Sequence, residues 1–335
     1  MLRRSAKFTA LITALMLIIT ASGCDTGTAY SLESTRFSSA VSETAATKPS
    51  VYIRSSFDIN KNPYYAMLSE TEMNAYSFVY EELIKGNQKF ECPFTISADQ
   101  LSKATDAMLN DHPELFWLDN SYGYTYDPAD GPVKEITFNF FDFADTPEKL
   151  REARSRFDSA AEKIITEASK YPTQAERELY IHDYICDNTG YDENAPYNQS
   201  AYSVIVLHSS VCAGYARSFQ YLMQKSGFTC YYVTGRTEKS SQVLGGNDEN
   251  GTHSWDIVLI AGEYYNVDCL WDDTASDSYG SPIYPFFNIP DEELVNHVRI
   301  NMATRLPGCH STDYRYSNLF GPTVEASSIV FTDAG

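Results

Sequence analysis

Between residues 69 and 86 the apolar side chains Met73, Tyr76, Tyr80, Leu83 and Ile84 recur three and four positions apart, the spacing of one helix face. Ser69 with Glu72 three residues later has the form of a capping box, and Gly86 supplies a stop, so a helix is predicted between them. A second helix is expected through ISADQLSKATDAMLND, ending near His112-Pro113, with Phe116 and Trp117 packing after it. KEITFNFFDF (Lys134 to Phe143) alternates apolar and polar positions as a strand does. Residues 51–145 therefore read as a small α+β domain with no catalytic constellation. Thr146 to Lys170 is helical with one charged face, and Thr173 to Asp192 is a further amphipathic helix with Leu179, Ile181, His182 and Ile185 on its inner stripe. No internal repeat is evident.

The first 23 residues have a different pattern. Arg3, Arg4 and Lys7 precede the apolar run FTALITALMLIIT, and small residues follow it. This is the layout of an export signal, too short for a membrane span of about 20 residues. Ala-Ser-Gly before Cys24 resembles the lipobox of bacterial lipoproteins, with Ala21 in place of the more usual Leu. That resemblance implies lipid on the Cys24 sulfur and attachment to the outer face of a membrane; an ordinary secretion signal gives a soluble protein instead. Residues 24–50, rich in Ser, Thr and Ala, read as a flexible tether.

The stretch SSVCAGYARSFQYLMQKSG (Ser209 to Gly227) predicts a helix capped by Ser209 or Ser210 and stopped by Gly227. Helical spacing places Cys212, Tyr215, Ala216, Phe219, Leu222 and Met223 on one face. Cys212 then sits in the first turn, where unpaired N–H groups and the helix dipole favour a thiolate. Ala213 and Gly214 are small enough to leave room for an acyl group. Taken alone, Cys212 reads more readily as an inert core thiol than as a nucleophile.

GTHSWDIVLIAGEYYNVDCLWDD (Gly251 to Asp273) predicts a β-hairpin turning at Ala261-Gly262. Ile260 would face Glu263 and His253 would face Leu270, with Asp268 one diagonal step from His253 on the same side. An imidazole held by a carboxylate is what a thiol nucleophile needs as its general base and acid.

Together, SSVCAGYARSFQYLMQKSGFTCYYVTG and HSWDIVLIAGEYYNVDCLWDD resemble the core of the transglutaminase-like superfamily over about Thr173 to Asp273. Cys269-Leu270 stands after the acid where members often have Pro-Thr. The resemblance implies an α+β, papain-like core domain, a Cys-bearing helix packed on an antiparallel sheet, preceded by the small N-terminal α+β domain. It places the nucleophile at Cys212, the general base at His253 and the orienting acid at Asp268. It implies acyl transfer through a thioester on peptide or glutamine amide bonds; because water is abundant outside the cell and the sequence shows no device that excludes it, hydrolysis by a peptidase or amidase is favoured over cross-linking. The expected organisation is a signal at 1–23, a tether at 24–50, the small domain at 51–145, the catalytic domain at 146–310 and an extension at 311–335. FFNIPDEELVNHVRI and LPGC are similar to extensions of exported bacterial relatives. The alternative is a non-catalytic cell-surface binding protein that retains the fold.

Composition narrows the partners. A net charge of −20, or −23 once Arg3, Arg4 and Lys7 leave with the signal, argues against nucleic acid, while the resemblance implies a protein or cell-wall peptide as substrate. Of seven cysteines, lipid would take Cys24 and catalysis Cys212; the five left cannot all pair. Cys230 and Cys269 could meet on neighbouring strands. There is no CxxC, HExxH or Gly-rich phosphate loop, so no cofactor or metal is expected. The acidic stretches Asp127 to Gly131 and Asp272 to Asp277 read as turns, and Val243 to Gly251 as a loop that could rim the cleft.

Overall fold

The computed structural model describes residues 55–126, 131–237 and 252–329. Helix α1 (Pro63–Ala66) leads into α2 (Glu70–Lys85), whose Ser69–Glu72 capping box forms in both directions and whose C-cap, Gly86, takes a left-handed φ of 87°. Strand β1 (Lys89–Glu91) precedes α3 (Ala98–Asp111), which has its own capping box from Ser97 and Gln100 and stops at His112. Strands β2 (Leu118–Tyr126) and β3 (Val133–Phe140) complete a three-stranded antiparallel sheet of order β1-β3-β2.

Two long helices follow, α4 (Pro147–Ala168) and α5 (Gln174–Asn188), then β4 (Gly190–Tyr191), α6 (Ala201–Ile205) and β5 (Ser209–Ser210), the two short strands pairing in parallel. Helix α7 (Cys212–Lys225) runs into β6 (Thr229–Thr237). Strands β7 (Thr252–Ile260) and β8 (Glu263–Val267) form the hairpin, α8 (Cys269–Tyr279) follows, and β9 (Phe287–Ile289) and β10 (His297–Arg299) complete a five-stranded antiparallel sheet of order β10-β6-β7-β8-β9. Helix α7 packs on β6 and β7, so the chain is α+β with a cysteine-bearing helix against an antiparallel sheet.

One continuous apolar core, from Tyr64 to Ala326, joins the two sheets and their helices. Phe116, in the turn before β2, stacks at 4.0 Å on Phe157 of α4 and at 5.6 Å on Tyr202 of α6. Tyr64 Oη donates to the Tyr232 carbonyl of β6 at 2.7 Å, which ties α1 to the larger sheet.

Three local expectations change. The expected serine cap of α7 does not form: Val211 is its N-cap, because Ser210 donates its hydroxyl to the Asn198 carbonyl at 2.7 Å instead. Gly214 does not open space for an acyl group. A Cβ there would stand 1.9 Å from Ser210 Oγ and 2.7 Å from the Asn198 carbonyl, so this glycine lets α7 approach the segment before it. Asp272 to Asp277 lies within α8 and not in a turn. Asp127 to Asp130, Val243 to Gly251 and Cys24 lie outside the described residues.

Candidate active site

Cys212 is the first residue of α7, and its buried side chain belongs to the core. From Cys212 to Lys225 the helix covers about 20 Å at 1.5 Å per residue. From Thr229 to Gly235 strand β6 returns about 20 Å at roughly 3.3 Å per residue. Gly235 pairs with His253. The chain therefore brings His253 back to the end of the sheet from which α7 starts. A second contact fixes the same end: Tyr215, one turn beyond Cys212, donates from Oη to Asp273 Oδ2 of α8 at 2.8 Å. Asp268 is the N-cap of that same helix.

The hairpin register begins as expected, with Ile260 opposite Glu263, but pairing ends at Asp256 with Val267. Asp268 is thus not in a strand and Leu270 does not face His253. Asp268 Oδ1 instead accepts the Trp271 N–H at 3.0 Å, which starts a helix. The other oxygen, Oδ2, lies 2.5 Å from His253 Nε2. One carboxylate thus caps α8 and holds the imidazole. Because Asp268 accepts, the proton of a neutral His253 ring sits on Nε2, and Nδ1 keeps the lone pair that a thiol proton requires.

A third group, absent from the sequence reading, completes the cluster. His297 of β10 places Nε2 at 3.0 Å from the same Asp268 Oδ2 and Nδ1 at 2.8 Å from the Val295 carbonyl. Burial alone would raise the Asp268 pKa; the His253 and His297 rings outweigh it and hold the carboxyl well below its usual range. His253, Asp268 and His297 are also close enough together to be a candidate metal set. Oδ2 stands only 2.5 and 3.0 Å from the two nitrogens, however, whereas ligands of a tetrahedral zinc stand about 3.3 Å apart. The spacing fits shared protons.

Gly235 explains how the rings pack. A Cβ there would fall 2.2 Å from the Trp255 ring and 2.7 Å from the Val298 carbonyl. Trp255 lies 6.1 Å from the His253 ring and 5.0 Å from that of His297, and its Nε1 donates to Asn266 Oδ1 at 3.1 Å. The wall beside the histidines is therefore indole, fixed by a hydrogen bond across the sheet.

Of the polar side chains near Cys212 in the sequence, Ser210 donates to the Asn198 carbonyl, Tyr202 stacks at 4.4 Å on Phe143, and His208 is exposed at a left-handed φ of 61°, so none is poised as an oxyanion donor. The first N–H groups of α7, that of Cys212 included, remain the local source of positive potential.

A second buried set lies behind the first. His182 Nε2 is 3.1 Å from Asp272 Oδ2, and Cys186 Sγ is 3.8 Å from the same ring nitrogen. Cys186 donates to the Cys269 carbonyl at 3.2 Å, which ties α5 to the first turn of α8. Burial pushes the Cys186 thiol well up. This set braces the helix that Asp268 caps. Cys230 and Cys269 are both free thiols, not a disulfide; Cys230 lies on β6 facing Asp256, and Cys269 lies on α8. A cavity of about 440 Å³ between α3, α7 and β6, bordered by Asp106, Arg217, Tyr232 and Thr234, shares no residue with Cys212, His253 and Asp268.

Residues 159–269 match the model of the transglutaminase-like superfamily, a span that holds all three predicted site residues. A search of curated proteins gives no match. Among solved structures, a TGase aligns at 12% identity and TM-score 0.31 over 54% of this chain and 50% of its own. A candidate cysteine protease from Cytophaga hutchinsonii aligns at 16% identity and TM-score 0.32 over 57% and 61%. The periplasmic domain of TgpA from Pseudomonas aeruginosa aligns at 12% identity and TM-score 0.28 over 42% and 58%. This chain thus spans half to three fifths of the length of those structures.

Proposed function

Because the chain belongs, through residues 159–269, to the transglutaminase-like superfamily, we propose that it is a cysteine-dependent acyl-transfer enzyme, with Cys212 as nucleophile, His253 as general base and acid, and Asp268 as the group that orients His253. The observation that carries this reading is the His253 Nε2 to Asp268 Oδ2 contact of 2.5 Å at the end of the sheet where α7 begins. His253 Nδ1 takes the Cys212 proton, and the thiolate attacks an amide carbonyl of a peptide or glutamine side chain. The α7 N-terminus, with the Cys212 N–H, stabilises the oxyanion. The imidazolium returns the proton to the departing amine and leaves a thioester on Sγ. Water, deprotonated by His253, then releases the acid. We place hydrolysis ahead of transfer to an amine, since water is the abundant acceptor outside a cell and an amine would have to outcompete it.

Labelling with iodoacetamide tests the nucleophile without a known substrate. Cys212 is expected to alkylate with an apparent pKa well below about 8.5, and His253→Ala to lose that acid-side reactivity. Equal, slow labelling of both proteins would sink the enzyme reading in favour of a binding protein with this fold.

We further propose that the mature chain begins at Cys24 and is held by lipid on the outer face of a membrane. The support is the basic and apolar leader with its small residues before Cys24. Among the described residues no helix is long and apolar enough to cross a membrane. Mass spectrometry of the protein from its native membrane is expected to find a diacylglyceryl adduct on Cys24. A mature chain starting elsewhere, without lipid, overturns this placement.

A further inference from the structure

Asp268 Oδ2 is met by two imidazoles, yet the proposed chemistry uses only one. The second, His297, comes from a short strand at the far edge of the sheet, whose sequence carries no catalytic pattern. Its side chain is fully buried. Its ring lies 4.4 Å from Trp271, 5.0 Å from Trp255 and 5.9 Å from Phe286, so it has a fixed orientation. The ionisable groups that face it are Asp268 and His253; the other neighbours are aromatic, together with the Val295 carbonyl.

Both His297 nitrogens face acceptors, so the ring satisfies both only as an imidazolium. Burial opposes that charge and lowers its pKa, although Asp268 and the Val295 carbonyl pull upward. In the neutral ring the carboxylate takes the N–H in preference to the carbonyl, because a charge-assisted hydrogen bond is the stronger. In both protonation states Nε2–H therefore donates to Asp268.

We propose that His297 is a positioning residue that acts through Asp268, fixing Oδ2 against His253 and drawing off part of its charge. This rests on the catalytic reading of Cys212, His253 and Asp268. The consequence is specific. An Asp268 shared between two donors orients His253 but stabilises its imidazolium less than an unshared carboxylate does. The His253 proton then stays available to a leaving amine, and the basic limb of the thiolate–imidazolium window lies lower than it would without His297.

The test is the pH profile of Cys212 alkylation by iodoacetate, whose anion favours the thiolate–imidazolium form, in the full chain, for wild type, His297→Phe and His297→Gln. Phe fills the aromatic pocket without a donor; Gln places an N–H near the position of Nε2. The Phe variant is expected to move the basic limb upward by about one pH unit, a tenfold difference in reactivity on that limb. Gln is expected to restore the wild-type position. A purely structural role would lower the melting temperature and leave the limb in place, and that outcome overturns the proposal, as does a Gln profile no better than that of Phe. If the Phe variant does not fold, nitrogen-15 imidazole spectra of the wild type give the second reading. A protonated, hydrogen-bonded Nε2 on His297 at neutral pH is expected, and a bare Nε2 overturns the proposal. If wild-type Cys212 shows no His253-dependent window, the catalytic reading itself falls, and this inference with it. A wild-type window unchanged in the Phe variant removes His297 alone.

Discussion

Replacing Asp268 with Asn is expected to lower the acyl-transfer rate by about 10⁴-fold while leaving the fold intact. Asn is as good an N-cap as Asp, so its side-chain oxygen can still accept the Trp271 N–H and start α8. Its amide nitrogen would then stand where Oδ2 stands, facing the Nε2 atoms of His253 and His297. Two donors cannot face a third donor. His253 would answer by moving its proton to Nδ1, which removes the lone pair that the Cys212 proton needs. The check is the alkylation rate of Cys212, and turnover once a substrate is found, beside a thermal melt of the same variant. An Asn variant that melts near wild type and keeps wild-type reactivity would remove Asp268 from the machinery.

A second large effect is expected in stability as a function of pH. Glu178 of α5 is fully buried; burial pushes its carboxyl up to about 8, although a hydrogen bond from Asn288 and the nearby His182 pull it down. Its Oε2 accepts the Asn288 Nδ2 at 2.8 Å, while Oε1 has no partner among the described residues. A proton on the carboxyl suits this site better than a charge. Asp111, buried beneath α1, is likewise raised by burial, to about 7, against the pull of His112 and of its donors Tyr65, Tyr76 and Tyr64. Both carboxyls are harder to ionise in the folded chain than in the unfolded one. Their contribution to stability is therefore complete below the unfolded pKa, near 4, and is lost as pH rises through about 7 to 8.

The protein should accordingly be more stable at pH 5 than at pH 8, by several kcal/mol as an order of magnitude. The excess of negative charge acts in the same direction. Glu178→Gln separates the two causes. It is expected to equal wild type at pH 5 and to exceed it at pH 8, flattening the slope of melting temperature against pH. A wild-type melt that does not change between pH 5 and 8, or a Gln variant destabilised equally at both, would refute the role given to Glu178.

Much of this molecule was legible from local sequence because local physics decides it. The capping box at Ser69, the left-handed Gly86 and the turn at Ala261-Gly262 all form within a few residues, and each stands where the pattern placed it. The same holds for Cys212 at the head of a helix and for the start of the His253 hairpin, since a periodic apolar stripe and a turn signal suffice to specify them. Where two local options competed, the tertiary context chose. Ser210 could have capped α7, but the Asn198 carbonyl claims its hydroxyl. Asp268 could have continued β8, but it caps α8 and reaches His253 from there.

Two assignments depended wholly on the assembled fold. Gly214 reads as open space in the chain, yet Ser210 fills it, and at Gly235, for which the chain carries no signal, Trp255 takes the same room. Their role depends on atoms 4 and 20 residues away. His297 lies 29 residues beyond Asp268 on a three-residue strand, and only its pairing with Thr237 at the edge of β6 brings it to the carboxylate. By itself the sequence determined the helices and the start of the hairpin, and it pointed to Cys212, His253 and Asp268 as candidates, because residue type and near-neighbour spacing encode them. That two histidines share one oxygen was decided by the order of strands in the sheet, and a contact between distant segments leaves no periodicity in either of them.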